Sequence, residues 1–525
     1  MSAASEAPEI KVRNSKYTPK SEFQVSTSDA PLNAPNENSE HVIIIGGGVS
    51  GLLVAWMLLD KGFRVTILAK EWARTGDFSE PRLTSQIAAA LWEMPPGGCG
   101  LTEIESPGKG WATVDHYREW AMQSYNFYTD YVKIPNEHER GGHSFGLSIA
   151  KLHQFFYEDV ISECTDKTSP TYEHHAKYLD VNKRIKGTAA YTDKTAIANK
   201  FNSSLINLEY GGGKFKTGYT HDAPILNTDK SLAYLMALVQ QKGATLETRA
   251  VKDLRESGQQ LLTDYKADVI VNATGLGAKD LLNDQDVYPV RGAIRRIDNV
   301  HHSQFRHLND AYLVPAQIAP DGLPSKTVFI VPRNDDILYV GSIIQPHNDT
   351  MNLTPESPEV LQMWDRAGDF MPSLLHAGLV NHFPFGQGLR PFTKKNVKVR
   401  ADEECAFPLV HNYGHGGSGW TLGVGTAHSA VFIVDKIFSD RIDLIEAVES
   451  LRLKQTETKD LIEIINSNGD LNQSHQQILS QAVVELPSAH PFKNRGLELI
   501  EALDHAPKLS VASAKVTNKF IYGSA

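Results

Sequence analysis

A glycine-rich turn between an apolar run and an apolar helix-forming stretch constrains this chain more than any other feature. Residues 42–45 (Val-Ile-Ile-Ile) form a continuous β-branched run, which is typical of a strand buried on both faces. Gly46, Gly48 and Gly51 follow it, and residues 52–59 then predict a helix. In such a turn the first glycine permits the tight bend, the second admits a pyrophosphate, and the third lets the helix pack on the strand. The segment therefore predicts a dinucleotide site at the start of a βαβ unit.

The residues after these glycines fit the same interpretation. At the start of the predicted helix, Val49 and Ser50 would present free N–H groups and a partial positive charge to the phosphates. Lys70 and Glu71 follow the next predicted strand, and Glu71 lies about 20 residues beyond the last glycine, where a ribose partner is expected. The alternative is a tight turn without a ligand. The motif alone does not distinguish FAD from a nicotinamide cofactor.

A second glycine-dense segment distinguishes these cofactors through its resemblance to a known family. Residues 412–421 read Asn-Tyr-Gly-His-Gly-Gly-Ser-Gly-Trp-Thr, which resembles the signature segment of D-amino-acid oxidases. Such a turn lets backbone pack against a flavin ring, and the helix after it faces the negative charge of reduced flavin. By itself the segment also fits a flexible turn. The resemblance covers residues 41–440 and implies FAD, with contacts from Gly414, His415, Gly416, Gly417, Ser418, Gly419, Trp420 and Thr421.

Shorter segments fall in the same order as in that family and supply further implied cofactor contacts. Residues 289–292 (Pro-Val-Arg-Gly) resemble its Pro-Gly-Arg-Gly turn, with Val290 in place of the glycine. By the same resemblance, Val251 lies in a strand like the one that meets the adenine in that family. The implied contacts are Lys70 and Glu71 at the adenosine, Thr84, Ser85 and Gln86 at the flavin, Val251, and the strand-end residues Thr274 and Gly275.

The resemblance also implies a catalytic set. Arg390 lies in a Gly-Leu-Arg-Pro segment that matches the one carrying the family's substrate arginine, which grips a carboxylate through two parallel hydrogen bonds. The alternative is a surface arginine on a loop. Ser325 and Phe329 stand where the family has tyrosines around its substrate, so Tyr312 becomes the candidate substitute. The predicted catalytic residues are therefore Arg390, Gly417 and Tyr312.

The order of these segments implies an α/β fold of two interleaved domains. A Rossmann-like FAD-binding domain would be threaded through a substrate domain that is built on a mixed or antiparallel sheet. Residues 1–40 are rich in Ser, Pro, Asn and charge, which predicts a disordered arm. The predicted boundaries are 41–100, 220–295 and 395–440 for the FAD-binding domain, 105–219 and 296–394 for the substrate domain, and 441–525 for a helical C-terminal extension.

Composition restricts the class of protein and its partners. With 41% hydrophobic residues and a formal net charge of -10, the chain is globular in composition and lacks the basic balance of nucleic-acid-binding proteins. Cys99, Cys164 and Cys405 form no paired motif, so neither a metal site nor a disulfide framework is predicted. No secretory leader, no run of about 18 apolar residues and no Ser-Lys-Leu ending is visible. We therefore expect a cytoplasmic protein that binds neither nucleic acid nor membrane.

The resemblance implies a reaction as well as a cofactor. A hydride would pass from a carbon next to an amine to the flavin of FAD, and water would hydrolyse the resulting imine to a carbonyl compound. Molecular oxygen would then take the electrons and give hydrogen peroxide. The implied substrate is a small amine or amino acid, and homo-oligomerisation is left open. Three alternatives remain: an oxidase of secondary amines such as N-methyl amino acids, a flavin dehydrogenase with another electron acceptor, and a flavoprotein without catalytic activity.

Overall fold

The computed structural model describes residues 9–12, 22–73, 82–97, 112–134, 144–169, 171–203, 205–210, 215–301, 304–317, 327–333, 336–451, 455–505 and 509–522. The strands are β1 Glu9–Val12, β2 Phe23–Ser26, β3 His41–Ile45, β4 Arg64–Ala69, β5 Leu147–Phe156, β6 Ala189–Tyr191, β7 Thr217–Leu226, β8 Thr245–Thr248, β9 Val269–Asn272, β10 Val287–Asp298, β11 Ala311–Val314, β12 Val328–Pro332, β13 Ile337–Gly341, β14 Gln345–Pro346, β15 Phe385–Thr393, β16 Lys398–Ala401 and β17 Leu409–Tyr413. The helices are α1 Val49–Asp60, α2 Thr84–Ile87, α3 Val114–Tyr131, α4 Thr171–Arg184, α5 Lys194–Lys200, α6 Thr228–Gln241, α7 Leu254–Tyr265, α8 Ala278–Leu281, α9 Pro358–Phe370, α10 Gly419–Ser450, α11 Gln455–Ser467, α12 Gln473–Glu485, α13 Lys493–His505 and α14 Leu509–Tyr522.

A six-stranded sheet, counted over the described residues, contains the first predicted strand. Its order is β16-β17-β9-β3-β4-β8, and its strands are parallel except for β16, which runs antiparallel to β17. Every residue of β3 is buried, as expected for a central strand of a parallel sheet covered on both faces. The helix α1 connects β3 to β4, which makes the βαβ unit that the glycine motif predicts. The predicted Rossmann-like fold is confirmed.

The described residues form a second, larger sheet of nine strands. Its order is β14-β10-β13-β12-β11-β5-β7-β6, with β15 also paired to β10. Its ladders are antiparallel except for the parallel pairing of β11 with β5, so the predicted mixed or antiparallel sheet is present. Both β7 and β10 are long strands of this sheet, and the predicted boundaries at residues 219/220 and 295/296 cut through them.

The N-terminal segment contains structure that its composition does not predict. Strands β1 and β2 pair antiparallel, and Ile10, Val12 and Val25 are buried in the same core as α1. The prediction of a disordered arm over residues 1–40 is therefore wrong for residues 9–12 and 22–40. Averaging over the whole segment hid the short alternation of β1, in which Glu9 and Lys11 are exposed while Ile10 and Val12 are buried.

A buried ion pair fastens this hairpin to the rest of the protein. The Asp60 carboxylate at the end of α1 accepts hydrogen bonds from the backbone N–H of Ser26 at 2.8 Å and of Leu32 at 3.0 Å. Lys242 Nζ lies 2.7 Å from Asp60 Oδ1, and both side chains are fully buried. Lys242 also donates to Ala30 O. Because the hairpin helps to satisfy two buried charges, its loss would leave them poorly compensated.

The hairpin gives a testable prediction about stability. Val25→Asp is expected to reduce the free energy of unfolding by about 3–5 kcal/mol, because it places an unpaired charge in the core beside α1. Gln24→Asp introduces the same side chain at the preceding, exposed position of β2 and is expected to have little effect. Chemical denaturation of both variants measures the difference. Equal stabilities would show that β2 does not pack on the core in solution.

The C-terminal region is helical, as predicted, and packs on the second half of α10. Helices α11 to α14 share an apolar core with Leu444, Ala447 and Val448 of α10. Arg495 donates two hydrogen bonds of 2.6 Å to the Asp440 carboxylate, which joins α13 to α10. The Asn518 side chain pairs with the backbone N–H and C=O of Ala401 on β16, an edge strand of the six-stranded sheet. No helix among the described residues is long and apolar enough to cross a membrane.

Candidate active site

A cavity of about 1330 Å³ runs between the carboxyl ends of β3 and β4 and the nine-stranded sheet. Ligand pockets of roughly 300–1,000 Å³ suit drug-sized molecules, so this cavity has room for a dinucleotide and a substrate. Most of the residues predicted from sequence line it. They are Gly46, Gly48, Val49, Ser50, Lys70, Glu71, Thr84, Ser85, Val251, Thr274, Gly275, Arg390, His415, Gly416, Gly417, Ser418, Gly419, Trp420 and Thr421.

The turn between β3 and α1 depends on its glycines. Gly46 has φ +121°, and a Cβ built there would lie 2.4 Å from Ala273 O. A Cβ on Gly51 would lie 2.0 Å from Gly46 O, so Gly51 lets α1 pack on the turn and does not itself line the cavity. Gly48 precedes the first residue of α1 and has more room, with Ser85 Oγ 3.3 Å from an added Cβ. The N-terminus of α1 therefore opens into the cavity, where it would attract an anion.

The turn between β17 and α10 places a second helix N-terminus at the same cavity. Gly416 has φ +57°, and its N–H donates to Pro391 O at 2.8 Å. The Trp420 indole N–H donates to Ser85 O at 2.9 Å, which ties this turn to the segment around α2. Gly414 (φ +87°) serves the turn itself and faces Thr393, so the structure does not bring it into the cavity wall. Two helix dipoles thus point their positive ends toward one space.

His415 lines the cavity as a neutral group. Its Nε2 lies 2.9 Å from Thr426 Oγ1, and its side chain is buried. Burial lowers the pKa of His415 to about 4, because the charged imidazolium is poorly solvated there. At neutral pH the residue can exchange hydrogen bonds but is a weak proton acceptor.

The polar residues that sequence assigns to the adenosine directly follow the carboxyl end of β4. Lys70 Nζ and Glu71 Oε1 are 3.5 Å apart, and both side chains are largely exposed at the cavity rim. Val251 also lines the cavity, together with Arg249. It lies three residues beyond the end of β8, so the prediction that it belongs to a strand is wrong.

Gln86 does not line the cavity, although its neighbours Thr84 and Ser85 do. Its side chain turns away and donates to Asp229 Oδ1 at 2.9 Å. Its backbone C=O accepts from Thr228 Oγ1 at 2.7 Å, so Gln86 anchors α2 to α6. The prediction that Gln86 contacts the cofactor is therefore wrong in this structure, because its partners lie across α6 and not in the cavity.

Arg390 projects from β15 into the cavity and is fixed by the end of β13. Its Nη1 donates to Ile343 O at 3.0 Å, and its Nη2 donates to Ser342 Oγ at 2.8 Å. The guanidinium lies over Gly292, where a Cβ would be 2.2 Å from Nη1. No carboxylate of the described residues lies within 4 Å of it, and burial lowers its pKa to about 10, so it stays charged at neutral pH. Within the described part of the chain, this cation of the cavity wall therefore has no counterion.

Tyr312 points away from this cation, so its predicted catalytic role is wrong. On β11 successive side chains face opposite sides of the sheet, and it is Leu313 that lines the cavity. Tyr312 packs behind the sheet, with its ring 5.2 Å from the ring of His153. Phe329 lines the cavity in place of one family tyrosine. The other aligned position, Ser325, lies outside the described residues.

Several functional candidates carry no signal in the sequence. Ser342 has no motif, and it lines the cavity because β13 ends beside Arg390. Glu93, Glu158, His174 and Lys177 also line the cavity, at the end nearest β5 and α4. Sequence alone could have grouped these four residues only if the strand order had been known. Among the described residues, no group of three or more His, Cys, Asp or Glu side chains is placed to hold a metal ion.

Comparison with known proteins decides the family. The model of the family described as "FAD dependent oxidoreductase" matches residues 41–432. This chain belongs to that family. The FAD-dependent oxidoreductase is 25% identical over 406 residues to the D-amino-acid oxidase of Rubrobacter xylanophilus, covering 76% of this chain and 96% of that protein. It is also 25% identical to the D-amino-acid oxidase of Schizosaccharomyces pombe, covering 75% of this chain and 95% of that protein.

Solved structures agree with this oxidoreductase in fold. Glycine oxidase from Geobacillus kaustophilus superposes with a TM-score of 0.54 at 19% identity, covering 76% of this chain and 95% of that one. Iminodiacetate oxidase from Chelativorans sp. BNC1 gives a TM-score of 0.51 at 15% identity, covering 75% of this chain and 95% of that one. The cofactor of the oxidoreductase is FAD. The two helix N-termini that open into the cavity and the glycine-rich turns before them fit this cofactor.

Proposed function

We propose that this oxidoreductase oxidises the carbon–nitrogen bond of an amino acid, or of a related amine that carries a carboxylate. The observation that carries the proposal is Arg390, whose guanidinium faces the cavity with no carboxylate of the described residues within 4 Å. A substrate carboxylate would supply the missing counterion through two charge-assisted hydrogen bonds. The names of the D-amino-acid oxidase relatives support the same class of substrate.

The cavity divides into regions that suit the parts of FAD. We assign the diphosphate to the N-terminus of α1, with Gly46, Gly48, Val49 and Ser50, and to the 3₁₀ turn that begins at Gly275 after Thr274. The adenosine goes to the rim formed by Lys70, Glu71 and Val251. The flavin goes to the centre of the cavity, lined by Thr84, Ser85 and the segment His415, Gly416, Gly417, Ser418, Gly419, Trp420 and Thr421.

Bound FAD supplies the two-electron acceptor for the reaction. Arg390 would hold the substrate carboxylate and so aim the carbon beside the amine at the flavin, while the backbone at Gly417 would pack against the ring. Leu313, Phe329 and Ile344 make the surrounding wall apolar and keep water from the reacting carbon. His415 is a weak base at neutral pH, and no side-chain base is needed if the amine binds in its neutral form.

A substrate screen without oxygen tests this function. The purified holoprotein is mixed with D-amino acids, L-amino acids, N-methyl amino acids and simple amines, and the absorbance of the oxidised flavin is followed. We expect bleaching by at least one carboxylate-bearing amine, and re-oxidation with hydrogen peroxide release when oxygen is admitted. Bleaching by N-methyl substrates alone would indicate a secondary-amine oxidase, and bleaching that oxygen does not reverse would indicate a dehydrogenase. If no carboxylate-bearing amine bleaches the flavin, the proposal is wrong.

A further inference from the structure

The Arg390 guanidinium has more hydrogen-bond donors than the described part of the chain uses. A guanidinium carries five N–H donors in a fixed planar fork. Two of these bonds are made within the protein, one to Ile343 O and one to Ser342 Oγ. The direction of the remaining donors is set by the two that are occupied, because the fork is rigid. The groups that hold Arg390 therefore decide how a carboxylate can approach it.

The Ser342 hydroxyl closes a ring of hydrogen bonds around this guanidinium. Its Oγ donates the single hydroxyl hydrogen to Ile343 O at 3.1 Å and accepts from Arg390 Nη2 at 2.8 Å. Ile343 O accepts in turn from Arg390 Nη1 at 3.0 Å. Both terminal nitrogens of the guanidinium are thus held at once. Because the hydroxyl hydrogen is already given to a backbone carbonyl, Ser342 acts on Arg390 and has no donor left for a ligand.

Gly292 on β10 supplies the surface against which the guanidinium lies. A Cβ added there would overlap the Nη1, Cζ and Nη2 atoms of Arg390, so the flat group rests on backbone with no side chain between. Strand β10 pairs with β15 at this point, with Val290 opposite Arg390. The sheet therefore limits movement of the cation toward β10, and the ring at Ser342 limits its rotation.

The backbone at Ser342 is itself held in place from two sides. Arg366 on α9 donates from Nη2 to Ser342 O at 3.1 Å and from Nε to Thr327 O at 3.4 Å. The N–H of Ile343 donates to Ala293 O at 3.4 Å, which ties the same segment to β10. Arg366 does not line the cavity, so these bonds fix the wall without filling the ligand space. The Ser342 hydroxyl is therefore presented to Arg390 from a fixed position.

We propose that Ser342 is a positioning residue for the substrate carboxylate and acts through Arg390. This inference rests on the proposed function, because it assumes that Arg390 holds a carboxylate. Ser342 orients the guanidinium before the ligand arrives, so less side-chain freedom is lost when the carboxylate binds. Removal of the hydroxyl takes away the acceptor of Nη2 and lets the long side chain rotate. The affinity for carboxylates should then fall, whereas the affinity for uncharged ligands should not.

Binding of two matched ligands tests this proposal without depending on turnover. Hexanoate and hexanamide have the same chain and differ in the charge of the head group. Isothermal titration calorimetry of the holoprotein gives a dissociation constant for each. We expect the wild type to bind hexanoate at least about tenfold more tightly, and Ser342→Ala to reduce this ratio roughly threefold to tenfold. Ser342→Thr keeps the hydroxyl and is expected to retain most of the ratio. An unchanged ratio in Ser342→Ala would overturn the proposal.

A double-mutant cycle shows whether Ser342 acts through Arg390. In the Arg390→Ala background, Ser342→Ala is expected to change the dissociation constant of hexanoate by less than about twofold, because the group that it orients is gone. A loss of equal size in both backgrounds would contradict the proposal. Ser488→Ala makes the same change at an exposed position that does not line the cavity and is expected to preserve the ratio. Flavin content and circular dichroism of each variant report whether cofactor site and fold are retained.

The same measurements separate failure of this inference from failure of the proposed function. If Arg390→Ala abolishes the preference for hexanoate while Ser342→Ala leaves it intact, the carboxylate clamp stands and the role of Ser342 is refuted. If no amine bleaches the flavin, yet the ratio falls in Ser342→Ala and persists in Ser342→Thr, the oxidation chemistry is at fault and the positioning role stands. Equal binding of hexanoate and hexanamide by the wild type would refute both the clamp and the role of Ser342.

Discussion

Gly48→Val is expected to yield a folded protein that no longer binds FAD. Gly48 immediately precedes α1, and in this structure an added Cβ meets Ser85 Oγ at 3.3 Å and otherwise faces the cavity. The valine side chain would occupy the space in front of the helix N-terminus, where the diphosphate is assigned. Flavin absorbance of the purified variant, measured after incubation with excess FAD, gives the bound fraction. We expect a colourless protein with a circular dichroism spectrum like that of the wild type.

Two other glycines provide matched comparisons for this variant. Gly378→Val adds the same side chain at an exposed glycine with no heavy atom within 4 Å of the added Cβ, and it is expected to retain FAD. Gly51→Val would force a Cβ to within 2.0 Å of Gly46 O, so loss of FAD there would accompany loss of the fold. A yellow Gly48→Val protein with full flavin content would show that the diphosphate lies elsewhere.

Arg390→Ala is expected to lower kcat/KM for a carboxylate-bearing substrate by roughly tenfold to a hundredfold or more. The substitution removes a charge-assisted pair in a partly buried site, and such hydrogen bonds contribute about 1.5–3 kcal/mol each. Arg390→Lys is expected to recover part of the loss, because an ammonium lacks the planar fork of a guanidinium. Steady-state kinetics on the best substrate of the screen measures both variants.

The controls for Arg390 separate binding of substrate from binding of cofactor. FAD content is expected to remain normal in both variants, because Arg390 lies with Ser342 and Ile343 on the substrate side of the cavity. Lys395→Ala removes a positive charge from an exposed side chain just beyond β15 and is expected to leave kcat/KM unchanged. Full activity of Arg390→Ala on an amino acid would place the carboxylate clamp at another residue.

Sequence predicted the parts of the site that depend on backbone conformation. The turns at Gly46 and Gly416 need glycine, since positive φ values and close approaches exclude a side chain, so their motifs are visible in the sequence. Arg390 was predictable because its segment matches the family both in its residues and in its position along the chain. The N-terminal hairpin was not, because strands of four residues are too short for alternation to stand out from a polar background.

The errors at Tyr312 and Gln86 have a different physical origin. All four residues of β11 are buried, so alternation of polar and apolar residues gives no indication of which side chain faces the cavity. Gln86 lies on a helix of four residues, and its direction is set by Asp229, which is 143 residues away in the chain. Side-chain direction in such elements depends on long-range packing, which a single sequence does not reveal.

The length of α10 bears on how this protein can be divided. The helix begins at Gly419 beside the cavity and continues unbroken to Ser450, a rod of about 48 Å at 1.5 Å per residue. The family match ends at residue 432, inside this rod. A truncated chain that stopped there would end in the middle of a helix and would lose Ile433, Val434, Ile437 and Phe438, which are buried in the same core as α1. The region around the cavity and the C-terminal helices therefore depend on the same helix. A design that fuses, labels or cleaves this protein should leave residues 419–450 uninterrupted.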